Sequence, residues 1–157
     1  MLKKMLVPYD GSKPSDDALE EAIKLANWTG TGAAEIILLY VIPEMHLPPS
    51  FDYGMRLPNV KTTKEYLKEL YQEMKKRAIE MLEEKRKKCA EAGITARTQT
   101  FIGHPADKII AYANDENVDL IVIGNTGLSG LLSKIKTLGS VSRAVSERAK
   151  CPVMIVH

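Results

Sequence analysis

Residues 118–142 read "VDLIVIGNTGLSGLLSKIKTLGSVS". The first six form a short, largely apolar segment of strand length. The segment after them holds Gly124, Gly127, Gly130 and Gly139, with small hydroxyl residues between and after the glycines. Glycine is costly to order, so it is best accounted for where φ must be positive or where something approaches the backbone closely. A buried strand that empties into a glycine-rich turn and then a helix belongs to an open α/β sheet, whose ligands sit beyond the carboxyl ends of its strands.

The same alternation runs outward from this stretch. Toward the N-terminus, "KMLVPYDGS" is a strand ending in a turn, because Pro8 cannot donate to a ladder. In "SDDALEEAIKLAN", Ala18, Leu19, Ala22, Ile23 and Ala26 recur at helical spacing, with Ser15 as N-cap, Asp16 and Asp17 in the first turn, and Gly30 and Gly32 as stops. "EIILLYVI" is apolar on both faces, as a strand inside a parallel sheet must be. Residues 43–60 hold four prolines and a glycine and read as a flexible loop insertion.

A long helix over roughly 62–92 comes next, with Leu67, Leu70, Tyr71, Met74, Ala78, Met81 and Leu82 as its apolar stripe and Gly93 as its C′ residue. Its charge spacing predicts Glu73–Arg77, Glu83–Lys87 and Glu84–Lys88 pairs, and its "EEKRKK" run reads as a solvated face. "TARTQTFIG" alternates as a strand. "HPADKIIAYANDEN" is a helix with Pro105 in its first turn. Beyond 118–142, "SVSRAVSERA" is helical and "CPVMIVH" is an apolar strand. The order βαβαβαβαβ predicts one α/β domain over 1–157, an open five-stranded parallel sheet with helices on both faces.

The bulk numbers exclude several classes. With 22 basic and 20 acidic residues the net charge is +2, which argues against a dedicated nucleic-acid or membrane-surface binder. Cys89 and Cys151 show no metal-ligand spacing. No apolar run approaches the roughly 18 residues of a membrane span, so a cytoplasmic protein is expected.

Three strand tips are candidate ligand contacts: Pro8-Tyr9-Asp10-Gly11-Ser12, Tyr40-Val41-Ile42, and the stretch from Gly124. If the first and fourth strands are neighbours, Asp10 and the glycines share one crevice. Gly124 and Gly127 would let amides turn toward an anion. Gly139-Ser140 precedes a helix whose N-terminus suits phosphate, and Ser140 and Ser142 add hydroxyl donors or caps. That set suits a nucleotide, with phosphates on amides, ribose on Asp10 and adenine against Val41. A surface loop with helix caps accounts for the same residues. No Gly-Lys-Ser/Thr triplet is present and the first turn holds only Gly11, so neither a Walker loop nor a dinucleotide fingerprint fits.

The segments "MLVPYDGS", "ILLYVIPE", "GHPADKI", "DLIVIGNTGLSG", "LGSVS" and "CPVMIV" together resemble the universal stress protein family over nearly the whole chain. Gly124, Gly127 and Gly139-Ser140 match the fixed positions of its ATP-associated signature, Gly-x2-Gly-x9-Gly-Ser/Thr. The second spacer, residues 128–138, has eleven residues rather than nine. A longer loop costs little closure entropy.

The resemblance implies a sheet of the adenine nucleotide alpha-hydrolase type. It implies adenine and ribose contacts at Pro8, Asp10 and Val41, with Tyr9 in the same tip. Ile123 and Gly124 would flank the nucleoside, and Gly127, Gly139, Ser140 and Val141 would hold the phosphates. Magnesium or manganese would accompany ATP through its phosphates, and a homodimer would form through strand 152–157. The implied function is an ATP-binding stress or signalling switch with an unknown protein partner. The eleven-residue spacer favours the alternative, a dimer that does not hold ATP. No base or nucleophile stands at triad spacing, so hydrolysis, if any, would be slow.

Overall fold

A computed structural model describes residues 2–29, 34–48, 62–126 and 138–157. The strands are β1 (Lys4–Pro8), β2 (Glu35–Pro43), β3 (Ala96–Gly103), β4 (Leu120–Gly124) and β5 (Val153–Val156). The helices are α1 (Lys13–Trp28), α2 (Thr63–Glu91), α3 (Pro105–Asp115) and α4 (Ser140–Arg148). All strand pairs are parallel, in the order β3-β2-β1-β4-β5. The chain is therefore an open five-stranded parallel sheet, as the alternation predicts. Among the described residues no helix is long and apolar enough to cross a membrane.

The period of two along each strand divides the core. Met5, Val7 and Tyr9 of the β1 segment face α1 and α2 with Ile36, Leu38 and Val122. Leu6 faces α3 and α4 with Ile37, Leu39, Val41, Ile121 and Ile123. Each large side chain that these faces bury contributes about 1.5–3 kcal/mol. Burial on both sides explains why β2 reads as an unbroken apolar run.

The start of α1 corrects the sequence reading. Its N-cap is Ser12, whose hydroxyl accepts from the Ser15 amide at 3.3 Å, and Pro14 sits in the first turn where a missing N–H costs nothing. Ser15 lies three residues inside and donates its own hydroxyl to the Ser12 carbonyl at 2.8 Å. The helix ends at Trp28, before Gly30 and Gly32, which lie outside the described residues.

In α2, Thr62 and Glu65 form a capping box. At the other end Gly93 has φ +76°, the Gly93 amide donates to Ala90 and the Ile94 amide to Cys89, which together make a Schellman closure. At 29 residues the helix is about 44 Å long and outreaches the sheet. Only Ala78, Leu82 and Cys89 are fully buried; Leu67, Leu70, Tyr71 and Met74 are half-buried. The Glu73–Arg77 pair forms at 3.0 Å, but Glu83 takes Arg86, three residues away. Lys88 reaches Glu20 and Lys85 reaches Asp16 on α1, so part of the "EEKRKK" face is a helix–helix contact.

At the amino ends of the strands, Arg97 on β3 binds Glu116 and Tyr112 at the end of α3 and Glu35 on β2. Lys4 of β1 joins Glu116 at 3.3 Å. At the carboxyl ends, where the candidate site lies, Tyr9 follows β1 and bonds to Asp16, which pairs with Lys85.

Candidate functional site

Neighbours β1 and β4 mark the point where the strand order reverses: β2 and β3 lie to one side, β5 to the other. Open α/β sheets bind ligands at such a reversal. A crevice of about 530 Å³ opens there. The structure thus joins the three strand tips that the sequence singled out. Pro8, Tyr9 and Asp10, Tyr40 and Val41, and Ile123 and Gly124 all line it, facing Gly139, Ser140 and Val141 at the start of α4. Gly127 lies outside the described residues, as does most of the 43–60 insertion.

The two ends of the crevice differ in chemistry. On the α3 side, Val41, Pro43, Pro105 and Ile109 form an apolar wall. Pro105 opens α3 with His104 as N-cap, so its ring costs the helix no hydrogen bond. On the other side stands the N-terminus of α4. Its N-cap is Gly139, which has no side chain to occupy the first amides. The start of α1 is different, because Ser12 and Ser15 already satisfy it. Of these two helix starts, α4 is the one with no side-chain cap to compete with an anion.

Asp10 is the charged side chain among the described lining residues. One carboxylate oxygen accepts from the Ser12 amide at 2.9 Å, an Asx turn made possible by Gly11 at φ +82°. The turn reading and the ligand reading of Asp10 are therefore compatible, since a carboxylate can accept several hydrogen bonds.

Tyr9 borders the crevice and also packs into the core on the α1 and α2 face. Its hydroxyl donates to Asp16 at 2.6 Å, and Lys85 lies 5.7 Å from the ring centroid and 3.0 Å from Asp16. Burial first, then Asp16, pushes the Tyr9 phenol far above its ordinary range. Burial would raise Asp16, but hydrogen bonds from Tyr9 and Lys85 outweigh it and hold the carboxyl low.

The glycine of β4 has a different reason from the one expected. A Cβ on Gly124 would stand 2.7 Å from the carbonyl carbon and oxygen of Pro14. Gly124 is small because α1 crosses the tip of β4 there. At Gly139 the amide already donates to the Asn125 carbonyl at 2.7 Å. Ser140, exposed, is the first residue of α4 rather than its cap. Ser142 is buried, lines the crevice at the start of α4 and donates its hydroxyl to the Gly124 carbonyl at 2.7 Å.

Pro43, Pro105, Ile109, Thr126 and Leu138 also line the crevice and were missed as site residues. Pro105 and Ile109 are legible as the face of a helix, but only the strand order brings that helix to β1. Among the described residues no group of three or more His, Cys, Asp or Glu could hold a metal ion. Cys89 is fully buried, and burial pushes its thiol up, in keeping with an inert role.

Comparison with known proteins accords with this geometry. The model of the universal stress protein family matches residues 1–157. Universal stress protein YxiE of Bacillus subtilis is 39% identical, over 100% of both chains. The solved structure of MJ0577 from Methanocaldococcus jannaschii superposes with a TM-score of 0.80 at 28% identity, covering 99% of this chain and 96% of that one. A universal stress protein solved in complex with cAMP shares the fold, with a TM-score of 0.63 at 24% identity over 99% and 97% of the two chains. With its crevice at the strand reversal and its whole length matched, the chain belongs to the universal stress protein family.

Proposed function

We propose that this protein binds ATP in the β1–β4 crevice and acts as a homodimeric stress or signalling switch. The observation that supports this most is the division of the crevice. Adenine fits the apolar wall of Val41, Pro43, Pro105 and Ile109, ribose meets Asp10, and the phosphates reach the uncapped N-terminus of α4. The family relation and the fold's use with cAMP in a relative support an adenine nucleotide in general. The choice of a triphosphate rests on the signature positions Gly124, Gly127, Gly139 and Ser140. Magnesium or manganese would be held through the phosphates.

Dimer formation is proposed through β5. It is an outer strand of the sheet, and Val153, Ile155 and Val156 are only partly buried within one chain. An unpaired edge of that composition invites a second copy. ATP would bias the segments that border the crevice, and a protein partner would read the difference. The protein is proposed to work in the cytoplasm.

Calorimetric titration of the nucleotide-free chain with magnesium and ATP tests the reading. One saturating site per chain is expected, with adenosine binding more weakly. Heats no different from dilution for both ligands would move the function to the nucleotide-free dimer, the reading that the eleven-residue spacer favours.

A further inference from the structure

A sugar hydroxyl both donates and accepts, whereas a carboxylate such as that of Asp10 can only accept. A donor beside Asp10 would complete the pair. The hydroxyls that line the crevice can be sorted by where their protons go. Tyr9 donates to Asp16 at 2.6 Å, Ser15 to the Ser12 carbonyl at 2.8 Å and Ser142 to the Gly124 carbonyl at 2.7 Å. Thr126 contacts Asn125 at 3.4 Å, and Ser140 is exposed at the start of α4. Tyr40 is different. It is half-buried, and its phenol has no hydrogen-bond acceptor among the described residues.

The strand register brings this phenol to the Asp10 tip. Pro8 stands opposite Leu39, and the next amide, that of Tyr9, donates to the Leu39 carbonyl at 2.8 Å. The end of β1 therefore runs on beside Tyr40 and Val41. These two neighbours point to opposite faces of the sheet, Val41 to the α3 and α4 side and Tyr40 to the α1 and α2 side. Burial first, then the charge of Asp10, raises the Tyr40 phenol above its ordinary range, so it keeps its proton at neutral pH.

Resting on the ATP reading, we infer that the Tyr40 phenol donates to a ribose hydroxyl beside Asp10, so that the crevice selects ribonucleotides over deoxyribonucleotides. A deoxy sugar that lacks this oxygen leaves the phenol unpaired in a partly buried place, which weakens binding. Base and phosphates are the same in both nucleotides, so the apolar wall and the start of α4 supply none of this discrimination.

The test is calorimetry with magnesium present, on wild type and Tyr40→Phe, with ATP, 2′-deoxy-ATP and 3′-deoxy-ATP as ligands. Phenylalanine keeps the ring and its packing and removes only the hydroxyl. Wild type should bind ATP about fivefold more tightly than at least one of the deoxy nucleotides. Tyr40→Phe should bind ATP about fivefold more weakly than wild type does. For the deoxy nucleotide that lacks the partner hydroxyl, the two proteins should agree within about twofold, because that bond is already gone. A thermal melt of each ligand-free protein verifies that it is folded. Equal weakening of all three nucleotides by Tyr40→Phe would make Tyr40 a packing residue and overturn the inference. So would unchanged ATP affinity in a folded Tyr40→Phe protein, or a wild type that binds all three nucleotides equally. Wild-type protein that bound none of the three would overturn the ATP reading itself, and the inference with it.

Discussion

Gly124 at the tip of β4 lies against the backbone of Pro14 at the start of α1, so closely that a Cβ would meet three Pro14 atoms at 2.7 Å. The obstacle is mostly backbone, which cannot swing away as a flexible side chain can. Gly124→Ala must therefore push α1 off the sheet beside the crevice. The expected loss is about 2 kcal/mol, typical of overpacking. For a chain of this size that lowers the Tm by about 4–8 °C. Thermal unfolding followed by circular dichroism measures it; an unchanged Tm would mean that the contact is not made.

Asp10 has two jobs that substitution can separate. Asp10→Asn keeps an oxygen for the Ser12 amide and so keeps the turn, whereas Asp10→Ala loses it. Both should fold. Asp10→Ala should weaken ATP binding by about tenfold, since the acceptor proposed for ribose is lost. Calorimetry on the two variants checks this, and wild-type affinity in Asp10→Ala would remove Asp10 from the ribose site.

The Asp16 carboxyl is held below its ordinary range, with hydrogen bonds from Tyr9 and Lys85 outweighing the effect of burial. A group whose folded pKa is depressed stabilises the fold above its unfolded value, about 3.9, and loses that contribution as pH falls through the folded value. Stability should accordingly drop as pH falls below about 4, and Asp16→Asn should flatten that limb. Asp119 adds to the same limb, because the Lys4 and Lys3 amides each donate to it at 2.8 Å and lower its pKa. Tyr9 acts at the other extreme. Its raised pKa contributes stability that is whole below about pH 10 and lost as pH rises beyond it. Urea titrations across pH, on wild type and Asp16→Asn, would show these slopes; identical acid limbs would contradict the assignment.

The β5 edge offers a test of the dimer. The Pro152 and Val156 carbonyls accept from β4 and the residue after it, at Ile121 and Asn125. Backbone groups alternate along a strand, so those of Val153 and Ile155 point away from β4. Ile155→Pro removes an outward N–H and spares the β4 ladder. Light scattering should give twice the 17.4 kDa chain mass for wild type and one chain mass for Ile155→Pro. A wild-type monomer, or an Ile155→Pro dimer, would rule out this edge.

Strand and helix identity was legible because period and burial coincide: after Glu35, β2 is an apolar run buried on both faces, and α1 repeats its alanines on one side. The first cap was misplaced because Ser12 and Ser15 are equally good caps by type; Pro14 between them was the available signal, since proline belongs in a first turn. Asp10, Val41 and the α4 start were legible as strand and helix ends. The partners that fix them were not. Pro14 behind Gly124, Asp16 on Tyr9 and Gly124 on Ser142 are contacts between elements, and they depend on the strand order, which local sequence does not contain.

The central claim is that this chain holds ATP. Its most direct test is to purify the protein from cells, denature it with acid and chromatograph the supernatant for nucleotides, quantified per chain. The account predicts adenine nucleotide approaching one per chain, ATP foremost, and much less from Asp10→Ala. An empty protein that also fails to take up magnesium and ATP on titration would contradict it, and the glycines that come after β4 would then be turn and cap residues alone.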